Sequence, residues 1–123
     1  MKLRLEGNSI RLRVRKSDLN SLQKDGAIIE TLTFPNQLVF NYQLRTDNNI
    51  SEVTAQFSNA GILVGLPFSK TQLWIQSDEV GIEATLSSGL FILIEKDFPC
   101  KDRPLEDTAD TFFELADHES LKC

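Results

Sequence analysis

Two cysteines and one histidine in 123 residues are too few for a disulfide framework or for a zinc site with paired ligands. Cys100, His118 and Cys123 include no C-x-x-C spacing and no fourth ligand, so no metal and no cofactor are expected. A Cys–His nucleophile pair fails for a related reason, since both residue types fall in the stretch with least regular patterning, and catalysis needs positioned groups. The six glycines form neither a phosphate-cradling loop nor a dinucleotide fingerprint. No apolar run approaches the roughly 18 residues of a membrane-spanning helix. Charge falls at every second position from Lys2 to Glu6, which leaves no room for a secretory hydrophobic segment. Reduced thiols and a cytoplasmic location are therefore expected. What is present, 41% hydrophobic and 25% charged residues, suits one soluble globular domain with a real core.

The net charge of −5 conceals an asymmetry. Residues 1–16 carry Lys2, Arg4, Arg11, Arg13, Arg15 and Lys16 against Glu6 alone. Residues 95–123 carry nine acids against four bases. A pI near 4.8 argues against a dedicated nucleic-acid binder, but local stripes matter more than totals.

Leu3 and Leu5 alternate with charged neighbours, as do Ile10, Leu12 and Val14. This period of two marks half-buried strands, and Gly7-Asn8 between them suits a two-residue type II′ turn. Ser17 is placed to cap a helix over 18–25, with Gly26 at its C′ position. Ile28 to Phe34 and Leu38 to Leu44 read as a second strand pair about Pro35-Asn36. After Asp47-Asn48-Asn49 the order restarts. Val53 to Phe57 and Ile62 to Leu66 are strands, followed by a helix over 70–76. Ser69 and Gln72 propose a capping box there, with Phe68 and Leu73 as a hydrophobic staple. Val80 to Leu86 and Leu90 to Ile94 complete the set.

The second half thus repeats the first as strand-strand-helix-strand-strand, at an offset of 52 residues without gaps: Leu5 meets Phe57, Leu12 meets Val64, Leu22 meets Trp74 and Phe40 meets Ile92. The expected fold is mainly β with two short helices. Two ββαββ units, 1–46 and 51–98, share one domain, a small β-barrel or pair of interleaved sheets, followed by an acidic tail at 99–123. The expected core holds Leu5, Ile10, Leu12, Phe40, Phe57, Ile62, Val64, Trp74, Ile92 and Ile94.

Lys2-Leu3-Arg4, Gly7-Asn8-Ser9, Leu12-Arg13-Val14, the helix ending at Gly26 and the strand pair closing at Leu44 together resemble the swapped-hairpin barrel of AbrB and MazE-type proteins. Arg13 falls on that family's arginine, and Arg15 stands where its proline would be; the second unit keeps the proline as Leu66-Pro67 but lacks the turn motif and the arginine. Two chains exchange hairpins in that family, so both units in one chain imply an intramolecular pseudo-dimer. The resemblance implies DNA binding through Lys2, Arg4, Asn8, Arg11 and Arg13, with Arg13 and Asn8 near the groove. It also gives the acidic tail a possible antitoxin-like role, with Phe112, Phe113 and Leu115 against a protein partner. The opening MKLRLEGNSIRLR and IEKDFPC at 94–100 also resemble a small bacterial domain family of unknown function, which implies no activity.

The even loop at Gly7-Asn8 sets Arg4 opposite Arg11 and Lys2 opposite Arg13, and like charges across a strand pair are destabilising. Phosphate would relieve them, as would the chain's own acids: the tail, or carboxylates such as Glu83 on neighbouring strands. Glu95 and Asp97 flank Lys96 and read as its ion-pair partners. Thr54, Gln56, Leu63 and Gly65 hold the equivalent positions in the second unit, so a symmetric two-half grip on DNA is not expected.

The functional expectation is a binding domain that is not an enzyme: a regulator or antitoxin-type module touching DNA or another polyanion through the basic hairpin. One alternative is a protein-interaction domain acting through 101–123, where Phe112, Phe113 and Leu115 either meet a partner or cover the domain's own core. Another is a metal-dependent tunnel enzyme acting on polyphosphate, which would need basic and acidic residues inside most strands.

Overall fold

The computed structural model describes residues 1–97. Eight strands and two helices follow in the order β1 (Lys2–Glu6), β2 (Ser9–Val14), α1 (Lys16–Asp25), β3 (Ala27–Thr33), β4 (Val39–Asp47), β5 (Thr54–Ser58), β6 (Gly61–Pro67), α2 (Phe68–Gln76), β7 (Gly81–Thr85) and β8 (Phe91–Lys96). They form two four-stranded sheets ordered β1-β2-β8-β7 and β3-β4-β6-β5. Each sheet therefore takes one hairpin from each half of the chain, joined by a central parallel ladder, β2 on β8 and β4 on β6. No ladder links the two sheets among the described residues, so the arrangement is a pair of interleaved sheets and not a hydrogen-bonded closed barrel. Neither helix is long and apolar enough to cross a membrane.

The repeat is visible in the ladders. Leu5 faces Ile10 in the first hairpin and Phe57 faces Ile62 in the third. Ile29 faces Gln43 in the second hairpin, and Gly81 faces Glu95 in the fourth. At the first turn Gly7 has φ 55° and Asn8 does not have a positive φ, the sign pattern of a type II′ turn. Gly61, at the equivalent of Ser9, has a different reason. A Cβ there would lie 1.8 Å from the Asn41 carbonyl oxygen, so only glycine admits β4 alongside.

Both helices start two residues earlier than expected. α1 begins at Lys16 with Arg15 at its N-cap, and the Arg15 N–H donates to Asp18 Oδ2 at 2.8 Å. Ser17 therefore lies inside the helix. Gly26 does close it, with φ 74° and its N–H on the Leu22 carbonyl. α2 begins at Phe68 because Pro67 ends β6 and its ring suits the turn into a helix. Ser69 is then internal, and Phe68 and Leu73 are exposed and form no buried staple. Thr71 supports this turn, its hydroxyl donating to the Pro67 carbonyl at 2.9 Å while fully buried. Arg15 and Pro67, 52 residues apart in the repeat, hold the same N-cap position.

One contiguous core joins Ile10, Leu12, Val14, Leu22, Ile28, Leu44, Val53, Val64, Leu66, Trp74, Ile82, Ile92 and Ile94. Trp74 is completely enclosed, and its indole N–H donates to the Val80 carbonyl at 3.0 Å. Ile62 and Phe40 are half-buried. Leu5 and Phe57, both expected inside, are 59% and 82% exposed. They alternate correctly, but both lie on edge strands next to hairpin ends, where nothing packs over the pleat.

Candidate functional site

Alternation along β1 and β2 sends Leu3, Ile10, Leu12 and Val14 toward the core and Lys2, Arg4, Arg11 and Arg13 to the outer face. The ladder pairs Lys2 with Arg13 and Arg4 with Arg11, as the turn requires. β8 lies parallel on the other side of β2 and sets Glu95 beside Arg13 and Leu93 beside Arg11. Glu95 is 6% exposed. Its Oε1 accepts the Nε–H groups of both Arg11 and Arg13 at 2.7 Å. Asp97 adds a second carboxylate, 3.5 Å from Lys2 Nζ and 4.0 Å from Arg13 Nη1. Arg4 pairs with Glu6 at 3.2 Å.

Burial pushes the Glu95 carboxyl up, but the hydrogen bonds and charges of Arg13 and Arg11 outweigh it, and the net shift is below the ordinary glutamate value. The like-charge stack is thus relieved from within the domain, by β8. Glu83 lies on this face and forms no ion pair among the described residues, and the segment 99–123 lies outside them. The pairing expected around Lys96 is not formed either. Lys96 Nζ donates to the Ser77 carbonyl at 2.8 Å and sits 6.0 Å from the Trp74 ring centroid, leaving Glu95 and Asp97 to the basic hairpin.

Two adjoining clefts share Leu93 on this outer face. The smaller, about 280 Å³, is lined by Arg4, Glu6, Ser9, Ile10, Arg11, Phe91 and Leu93. The larger, about 610 Å³, runs from Glu95 and Leu93 across Gly81, Ile82 and Glu83 to Lys70, Leu73, Glu79 and Val80. Arginines border one side and carboxylates the other. Asn8 is not part of the cluster. It sits in the hairpin turn, about 16 Å of strand from Arg13, with its carbonyl taking the Phe91 N–H at 3.0 Å. Phe112, Phe113, Leu115, Cys100, His118 and Cys123 lie outside the described residues. Among the described residues no group of three or more His, Cys, Asp or Glu side chains is placed to hold a metal ion.

The residue missed in the sequence is Glu95, and the repeat carried the signal for it. The second unit replaces Lys2, Arg4, Arg11 and Arg13 by Thr54, Gln56, Leu63 and Gly65. In the same comparison Glu95 and Asp97 correspond to Gln43 and Arg45. The carboxylates are present only in the sheet that has the cations. In the other sheet Arg45 Nε donates to Gln43 Oε1 at 3.0 Å, a neutral acceptor.

No curated protein and no solved structure matches the chain. The AbrB and MazE resemblance gains no support from these comparisons. Residues 1–115 match the Family of unknown function (DUF7009), in keeping with the resemblance of the opening strands and of 94–100 to a small domain family without assigned activity. With that match over most of its length, the chain belongs to this family of unknown function.

Proposed function

We propose that the chain is a binding domain, not an enzyme, that takes an anionic partner, a nucleic-acid backbone foremost, on the outer face of the β1-β2-β8-β7 sheet. The observation that carries this reading is the shared Glu95 oxygen. By taking the Nε–H of both Arg11 and Arg13, it holds two guanidinium groups side by side on a rigid strand. Arg11 uses only Nε in this contact and keeps its Nη groups for a ligand. Lys2 and Arg4 flank them in the same plane and are more than half exposed. Preorganised planar donors on a sheet suit phosphate oxygens, which position a nucleic acid without reading its sequence. Four cations, Lys2, Arg4, Arg11 and Arg13, stand against four carboxylates, Glu6, Glu83, Glu95 and Asp97, so the contact is governed by local geometry and is sensitive to salt.

The test is fluorescence-anisotropy titration of a DNA duplex across a salt series, comparing the wild type with Lys2→Ala/Arg4→Ala. Their ion-pair partners are Asp97 and Glu6, so the Glu95 contacts are kept, whereas replacing Arg11 and Arg13 would strand a buried carboxylate. The double variant is expected to bind more weakly, with a salt slope smaller by about 2. Duplex affinity equal in the two proteins would overturn the reading and favour the competing one, a protein-interaction domain acting through 101–123.

A further inference from the structure

The repeat is broken at one place, and the break exposes apolar surface. Ser9 of β2 stands beside Phe91 of β8. Their counterparts 52 residues away are Gly61 and Val39, yet Gly61 stands beside Asn41. The β3–β4 hairpin has therefore slid two residues past β5–β6, a displacement of about 6.5 Å toward its own turn. A slide of two keeps every side chain on its face, so the core is preserved. The cost falls on the hairpin end. Ala84, Leu86 and Leu90 of the unshifted hairpin pack against the core, and Ile92 is completely buried. Their counterparts Leu32, Phe34 and Leu38 are 46%, 50% and 66% exposed, and Phe40 is only half-buried. Leu32 faces Phe40 across the ladder, and Phe34 and Leu38 close the same face through the Phe34 N–H on the Leu38 carbonyl. A continuous apolar patch of this kind marks a contact surface.

We propose that Phe112, Phe113 and Leu115 of the same chain dock on this face. The family match does not end with the last strand; it continues to residue 115 and closes on Phe112-Phe113-Glu114-Leu115. The fifteen residues from Asp97 to Phe112 span up to about 50 Å, more than the roughly 30 Å diameter of a domain this size, so the face is within reach. Charge selects among the reachable surfaces. Residues 98–115 carry five acids and two bases. The large cleft on the other sheet is lined by Glu79, Glu83 and Glu95, and the basic hairpin is already paired with Glu95 and Asp97. Residues 31–41 contain no charged side chain, so an acidic segment meets no repulsion while its aromatic residues cover the hairpin. Tethering supplies an effective concentration in the millimolar range, enough for a patch of a few side chains.

Hydrogen exchange by mass spectrometry on the full chain tests this, with Phe34→Asp/Leu38→Asp as the variant and Leu73→Asp as a control at an equally exposed position on α2. Fluorescence of the buried Trp74 verifies that each protein is folded. Amides of 112–115 are expected to exchange at least about 10-fold more slowly than in an unstructured peptide of that sequence. That protection should vanish in the double variant and persist in the control. Free-peptide exchange in the wild type, or protection that survives the double variant, would overturn the proposal. So would a concentration-dependent dimer in sedimentation that the double variant dissociates while 112–115 exchange freely, because a second copy would then cover the face.

Discussion

Replacing Glu95 by glutamine keeps the side-chain shape and removes the charge that Arg11 and Arg13 share. Each Nε–H contact on the carboxylate is charge-assisted and worth about 1.5–3 kcal/mol when formed in the interior. Glutamine retains a neutral acceptor, and the Arg11 and Arg13 side chains are 34% and 21% exposed, so water replaces part of the loss. The facing Arg4–Arg11 and Lys2–Arg13 pairs then lose their nearest counter-charge, adding a few tenths of a kcal/mol each. The expected loss is about 2 kcal/mol at pH 7, below the 3–5 kcal/mol typical of a fully buried pair broken on one side. In a domain this size that lowers Tm by roughly 10 °C. Urea unfolding followed by the fluorescence of Trp74, the single tryptophan and completely buried, reads the change directly.

The pH dependence separates charge from shape. The Glu95 carboxyl titrates below its ordinary value in the folded protein, so folding favours the ionised form. Its contribution is complete above the unfolded value of about 4.3 and is lost as pH falls through the lower native one. The wild-type and Glu95→Gln stabilities should therefore converge on acidification from pH 7 toward 3. A difference below about 0.5 kcal/mol at pH 7, or one that stays constant down to pH 3, would refute the reasoning.

Gly61→Ala should lose more than about 3 kcal/mol by thermal unfolding, because the added methyl overlaps the Asn41 backbone. Leu5→Thr should change stability by under about 0.5 kcal/mol in the same assay, as suits an exposed strand position despite its apolar alternation. Tyr42→Phe removes a hydroxyl that donates to the Met1 carbonyl at 3.1 Å and should cost about 1 kcal/mol. Burial, with the charges of Glu30 and Asp18, raises the Tyr42 phenol. Its stabilising effect is complete below the unfolded value near 10 and lost as pH rises through the higher native one, so alkaline destabilisation should be smaller in Tyr42→Phe.

The strand pairs, both helices and the duplication were legible because they rest on local periodicity and turn chemistry. Gly7-Asn8 determines the first register, and with it the facing cations, without reference to any other element. Gly26 does the same for one helix end. The cap positions of Ser17 and Ser69 were misread because the backbone turns into each helix two residues earlier, at Arg15 and Pro67, which the hydroxyl pattern does not reveal. Leu5 and Phe57 show the limit of alternation, which assigns a face but not whether another layer covers it.

What the sequence determines by itself, then, is each hairpin: its period, its turn and the side chains that share a face. The tertiary structure decides which hairpins meet and in what register, because parallel ladders between distant segments contain no turn to count from. Two of its choices matter most. Laying β8 beside β2 carries Glu95 across 82 residues of chain to Arg13, where low exposure makes one carboxylate oxygen hold two guanidinium groups. Sliding β4 two residues along β6 preserves the pleat and so costs the core nothing, yet it leaves Phe34 and Leu38 uncovered where Leu86 and Leu90 are packed.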